Sequence, residues 1–156
     1  MEAFWADLTK KFTMAFLTGD RWKLYLKGMV TTLELTACAL IIGVALGVLV
    51  AVIRSAHDQQ RLGQRNIFLG LLNAVCKLYT TVIRGTPMLV QLLIWGMVIF
   101  KSSRNRFFVG MLGLGINSGA YVAEIVRGGL MSVDVGQNEA GRSLGLNYFD
   151  TMRFIV

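Results

Sequence analysis

The residues of this chain that could do chemistry are few, and several sit where charge is expensive. Arg84, Glu124 and Arg127 adjoin or interrupt apolar blocks. Ionisable groups at membrane depth are costly and usually face protein or a water-filled cavity. Asn117, Tyr121 and Glu124 follow one another at spacings of four and three, which puts them on one face of a helix. Such a polar stripe is poorly placed against lipid and sensibly placed along a pathway. A second reading stays open, in which Glu124 and Arg127 pair locally at the membrane edge and Arg84 is an anchor at headgroup level.

Enzyme constellations are missing from the sequence. There is no Gly-rich loop ending in Lys-Ser/Thr to cradle phosphates, no nucleophile elbow and no cluster with metal-ligand spacing. The single histidine, His57, lies in a polar stretch, and Cys38 and Cys76 both lie in apolar ones. Two such cysteines read as buried free thiols. Neither metal nor cofactor is expected, and ATP hydrolysis is not expected of this chain. The formal charge of +7 does not indicate nucleic acid, because the basic residues flank apolar blocks instead of forming one face. Basic flanks beside lipid headgroups are the ordinary reading.

The elements that must position these residues are membrane helices. Of the 156 residues, 54% are hydrophobic and 16% charged, against about 25% charged in a soluble domain. Leu35–Ile53 carries no ionisable side chain except Cys38 and is long enough to span a bilayer. Ala39, Gly43, Gly47 and Ala51 recur every fourth residue there, a face on which another helix backbone can approach closely. Pro87, the only proline, disfavours helix at Thr86 and has no amide hydrogen to donate. With Gly85 beside it, a break is expected at 84–87. The 34 residues of Ile67–Phe100 are then expected to form one segment near the membrane surface and one entering the bilayer from Pro87.

The fold expected is all-α and polytopic, with about three spans near 28–53, 87–101 and 107–128. Residues 1–27 read as an N-terminal segment in which Trp5, Leu8, Phe12 and Phe16 have helical spacing, either an interfacial helix or a loose terminus. Residues 28–130 form the membrane core, and residues 131–156 read as a surface helix. The stretch Arg54–Asn66, with Arg61 and Arg65, reads as a polar loop.

Four stretches together resemble one family. Gly136–Leu146, with Ile155 ten residues after Gly145, is similar to the loop of ABC importer permeases that runs Glu-Ala-Ala, three residues, Gly, nine residues, Ile-x-Leu-Pro. Glu139, Ala140, Gly145 and Ile155 match it. Thr32–Thr36, Arg84–Gln91 and Asn117–Gly129 resemble, in order, the first span, the Arg-Gly-Thr-Pro signature and a long stretch of the permeases for polar amino acids. Gly141 departs from the third motif alanine, and Asp134 stands where the family usually has proline. Asp134 or Ser132 could cap the helix instead.

The resemblance implies a permease subunit of the histidine/glutamate/glutamine/arginine/cystine group in a bacterial inner membrane. It implies a second permease subunit, an extracytoplasmic solute-binding protein, and cytoplasmic ATP-binding subunits that dock on Glu139, Ala140, Gly141 and Gly145. The residues expected along the substrate path are Arg84, Thr86, Gln91, Asn117, Tyr121 and Glu124. The resemblance also implies two further spans after Val156, so the chain is expected to be truncated; the alternative is a non-transporting membrane remnant. The coupling motif puts residues 131–156 in the cytoplasm and residues 1–27 outside. The Lys/Arg count, eight against six, leans weakly the other way.

Overall fold

The computed structural model describes residues 1–60 and 66–154. Arg61, Arg65 and Ile155 lie outside the described residues. The chain forms two compact units, Met1–Cys38 and Ala39–Val156.

In the first unit, α1 (Glu2–Phe12) continues through a wider π turn at Thr13–Leu17. The path then breaks at Gly19 and Asp20, whose φ values of 65° and 57° are left-handed. Glycine adopts that conformation freely, and aspartate is among the few other residues that tolerate it. Asp20 also accepts from Lys23 Nζ at 2.6 Å. Phe16 and Tyr25 pack across the break, ring centroids 5.1 Å apart. Helix α2 (Arg21–Asp58) begins there and contributes to both units. The hydroxyls of Thr31, Thr32 and Thr36 donate to carbonyls one turn earlier at 2.8–2.9 Å. These bonds satisfy polar groups that an apolar medium could not.

The second unit is built from the rest of α2, α3 (Ile67–Gly85), α4 (Met88–Leu93), α5 (Arg106–Ser132), α6 (Val135–Ser143) and α7 (Tyr148–Phe154). Asn66 and Asn105 cap α3 and α5, each side chain accepting a backbone amide at 2.9–3.0 Å. Helix α4 runs into wider π turns at Ile94–Ile99.

Three helices are long and apolar enough to cross a membrane: the run ending at Asp58, Ile67–Gly85 and Arg106–Ser132. The second of these differs from the sequence reading. The break does fall at Thr86 and Pro87, both extended. It comes, however, after 19 helical residues, close to the roughly 20 that span a bilayer. The stretch from Met88 to Ile99 is the shorter apolar helix. The reading of Arg54–Asn66 as loop is corrected over Arg54–Asp58, which α2 includes, with Ser55 buried and the Arg54 side chain turned toward its neighbours.

Helices α2 and α5 meet through glycine. Ala39, Gly43, Gly47 and Ala51 are all buried. A Cβ on Gly43 would lie 2.8 Å from Ser118 Cβ, and one on Gly47 would lie 2.6 Å from Val122 Cβ and 2.9 Å from the Gly119 carbonyl oxygen. From the other side, a Cβ on Gly115 would press on Ile42, and one on Gly119 on Tyr79 and Leu46. In lipid, helices gain little by hiding apolar surface from one another, so close backbone approach supplies the attraction.

Gly47→Ala is therefore expected to lower stability by about 1–3 kcal/mol through overpacking. Gly70→Ala, on α3 with nothing within 4 Å, should be neutral or slightly stabilising. Denaturant unfolding of the detergent-solubilised protein compares the two, and equal effects would remove the close-contact account.

Candidate functional site

The polar side chains inside the second unit fall into two groups. The first repairs the helix break. Pro87 ends the regular hydrogen-bond ladder and leaves carbonyls of the last α3 turn without amide partners. The Gln91 side chain, buried on α4, reaches back over the gap. Its Nε2 lies 2.6 Å from the Ile83 carbonyl oxygen, 3.0 Å from that of Thr86 and 2.6 Å from Thr86 Oγ1. Its Oε1 accepts from Nδ2 of buried Asn117 at 3.1 Å. One glutamine thus joins the end of α3, the start of α4 and the middle of α5.

The second group is ionic. Arg54 on α2 donates from Nη1 to Thr80 Oγ1 of α3 at 3.0 Å and to Glu124 Oε1 of α5. The other carboxylate oxygen of Glu124 takes Arg127 Nε at 3.4 Å, and Arg127 Nη1 reaches Asp58 Oδ2 of α2 at 3.1 Å. Arg84, in the last turn of α3, stands 3.9 Å from Glu124 Oε1 and 5.6 Å from the centroid of the Tyr121 ring. The side chain of Arg54 is 11% exposed and that of Arg84 is 44% exposed. The ring of Tyr121 is exposed as well.

The helix face proposed from sequence is therefore divided. Asn117 turns to Gln91, Glu124 turns to Arg54 and Arg127, and Tyr121 underlies Arg84. Arg54, Asp58 and Thr80 were missed. A signal was present: the small-residue row of Gly47 and Ala51 continues at helical spacing into Arg54 and Asp58. The row that meets α5 must carry those charges to it.

An apolar crevice of about 480 Å³ lies nearby, lined among others by Val50, Cys76, Tyr79 and Trp95. Its one hydroxyl, on Tyr79, already donates to the Ile116 carbonyl at 2.6 Å. A charged ligand would find no partner there.

Helix α6 is closed at both ends by its own residues. Asp134 Oδ1 accepts from the Gly136 amide at 2.6 Å, so Asp134 is the N-cap, while Ser132 Oγ donates to the Gly129 carbonyl instead. At the other end Gly145, with φ 79°, donates to the Arg142 carbonyl, and Leu146 donates to that of Gly141. This is the Schellman closure, which glycine accommodates without strain. Glu139 and Ala140 are exposed and Gly141 is buried. Among the described residues the element α6 packs against is α7.

A bundle of apolar helices joined by glycine contacts, with a broken helix and an ionic cluster among them, defines a polytopic membrane protein. The chain belongs to the family of binding-protein-dependent transport system inner membrane components, whose pattern matches residues 43–156. It is a membrane component, not an ATPase. It is 36% identical to the arginine transport system permease protein ArgU of Corynebacterium glutamicum, over 78% of this chain and 40% of that one. It is 33% identical to a putative glutamine transport system permease protein, GlnP, of Rickettsia prowazekii, over 84% of this chain and 56% of that one. A crystal structure of an amino acid ABC transporter with histidines superposes with a TM-score of 0.68 at 40% identity, covering 86% of this chain and 58% of the other. The chain thus spans about half the length of the curated relatives it matches.

Glu124 and Arg54 are expected to depend on each other. Removing one member of this part-buried pair leaves the other without its main partner, at a cost below the roughly 3 kcal/mol of a fully buried pair. The double variant Arg54→Ala/Glu124→Ala should then cost clearly less than the sum of the single variants. Unfolding measurements on all four proteins form the cycle, and additive effects would deny the pairing.

Proposed function

We propose that this chain is a permease subunit of an ATP-driven importer of polar amino acids, contributing to the translocation path and docking on a cytoplasmic ATPase through α6. The observation that carries the proposal is the form of α6. A nine-residue helix, capped by Asp134 and closed at Gly145, holds Glu139 and Ala140 outward. Its ends are satisfied by its own residues, and its exposed face is available to a second protein. Glu139 supplies a carboxylate for a charge-assisted hydrogen bond, and Ala140 admits close approach. The roles of Gly141 and Gly145 are different: Gly141 packs inward and Gly145 sets the backbone turn.

In this reading a second permease subunit completes the path, and a solute-binding protein delivers the amino acid. An amino acid leaving water needs polar partners for its carboxylate and amine, because unpaired charge in apolar surroundings is prohibitive. Of the path residues, Arg84, Thr86 and Tyr121 present exposed surface; Arg84 and Tyr121 form the contact, with Glu124 behind them. Thr86, Gln91 and Asn117 hold the break at which that surface begins. The named substrates of relatives, arginine and glutamine among them, support the class of solute.

The docking test is Ala140→Arg, which adds bulk and charge to the exposed face without touching either cap. In the transporter assembled with its ATPase, co-purification of the ATPase should fall at least about tenfold, a loss of roughly 1.4 kcal/mol, with membrane abundance unchanged. Undiminished co-purification and uptake would remove α6 from the coupling role. Gly145→Arg is a poorer probe, because a φ of 79° strains any L side chain.

Topology gives an independent check. A cysteine introduced as Ser143→Cys should resist an impermeant thiol reagent in intact cells and react once the cytoplasmic side is opened. Labelling from outside would reverse the orientation and with it the docking proposal.

A further inference from the structure

Among the described residues, helix α1 of the first unit carries an apolar face that nothing covers. Phe4, Leu8 and Phe12 recur every fourth residue with Trp5 beside them, and all four are exposed. Ala6, Lys10 and Thr13 share the opposite side. The run from Glu2 to Asp58 has 57 residues, about 85 Å if it were straight, against a hydrocarbon core about 30 Å thick. The apolar stretch Leu35–Ile53 lies well beyond the break at Gly19 and Asp20. Helix α1 is therefore left outside the hydrocarbon core with four large apolar side chains to place.

The break decides which way those side chains face. Phe12 packs on Phe16, ring centroids 4.9 Å apart, and Phe16 packs on Tyr25 of α2 at 5.1 Å. Contact across a bend is made on its inner side, so the apolar face of α1 turns into the corner that α1 forms with α2. Where α2 enters a bilayer, the inside of that corner is the lipid side. Carbonyls freed at the bend are satisfied within it: Arg21 Nη1 donates to the Met14 carbonyl at 2.9 Å and Thr18 Oγ1 to that of Thr13 at 3.0 Å. The corner can then rest against lipid without leaving these groups unpaired.

We propose that α1 is an interfacial anchor, lying in the membrane surface with Phe4, Trp5, Leu8 and Phe12 at the boundary of headgroups and acyl chains, and that its partner is the phospholipid bilayer. The apolar face is continuous, through Phe16 and Tyr25, with the helix that becomes the span. Lipid is thus fixed beside this face by the chain itself, whereas a protein partner would have to displace it. Trp5, Trp22 and Tyr25 are the side-chain types that settle at headgroup level. Lys10 is left on the water side, and Lys11, at the flank, pairs with Asp7 at 2.7 Å. The inference is independent of the substrate path and of docking through α6.

The test uses the whole chain, which has three tryptophans. With Trp22→Phe and Trp95→Phe, Trp5 alone reports. The protein is reconstituted in phosphatidylcholine vesicles whose acyl chains are brominated either near the headgroup or near the methyl end. Trp5 fluorescence should be quenched strongly by the shallow bromines, weakly by the deep ones, and little by acrylamide in the water. Adding Trp5→Phe and Lys10→Trp moves the reporter to the opposite side of α1 and should reverse the pattern, with acrylamide quenching dominant. Equal far-UV circular dichroism shows that the variants keep the fold. Should Trp95→Phe prove unstable, the difference between the unaltered chain and its Trp5→Phe variant gives the same signal. Dominant acrylamide quenching at Trp5, equal quenching of the two reporters, or strongest quenching by the deep bromines overturns the proposal. Protection of Trp5 that appears only when a solute-binding protein is added makes the face a protein docking surface and rejects the anchor as well.

Discussion

Within a bilayer, every polar group that does not reach water must find its partner inside the protein. That constraint organises this chain more than any single contact does. It explains why the threonines of α2 turn back on their own helix. It explains why the break at Pro87 is tolerated: the Gln91 amide supplies donors that the backbone has lost and passes its own oxygen to Asn117. It explains why the charges of α2, α3 and α5 converge. Arg54 and Glu124, the least exposed of the group, could not be held there alone, and Arg127 and Asp58 at its more exposed edge share in neutralising them.

The same constraint separates the glycine contacts from the ionic ones. Gly43 and Gly47 against Gly115 and Gly119 bring the backbones of α2 and α5 together over the apolar part of their length. The row then continues past Ala51 into Arg54 and Asp58, where ion pairs take over from close packing. A small-residue face and a charged face are one continuous interface, with dispersion at one end and electrostatics at the other. The burial of Arg54 follows from this register, since the helix cannot present Gly47 to α5 without also presenting Arg54 to Glu124.

Helix α6 obeys a different rule. It has a low share of apolar residues, its ends are satisfied locally, and its outward face carries Glu139 and Ala140. Asp134 serves as the cap at a position where the resembled family usually has proline. Both residues suit a helix start, one by accepting an amide and the other by having none to satisfy. Gly145 is tied to the closing turn by its backbone conformation, which is a sufficient reason for glycine at that position whatever docks on the helix.

Much was legible in the sequence, for physical reasons that act locally. Apolar runs of membrane length, the break at Gly85–Pro87 and the small-residue face of Gly43 and Gly47 follow from side-chain chemistry and helical period, and both need only neighbours in the chain. The four motif stretches, in order, pointed to the permease family. What the tertiary structure decided was pairing. Sequence placed Arg54 in a loop, because a charged residue after an apolar run ordinarily marks a membrane edge. Only the approach of α5 supplies the carboxylate that lets α2 continue through it. Sequence gave Asn117, Tyr121 and Glu124 one shared face, and the neighbours of that face, Gln91, Arg84 and Arg54, gave the three residues separate tasks. A side chain's type fixes what it can bond to, but distance fixes what it does bond to, and in this chain those distances are set between helices far apart in the sequence.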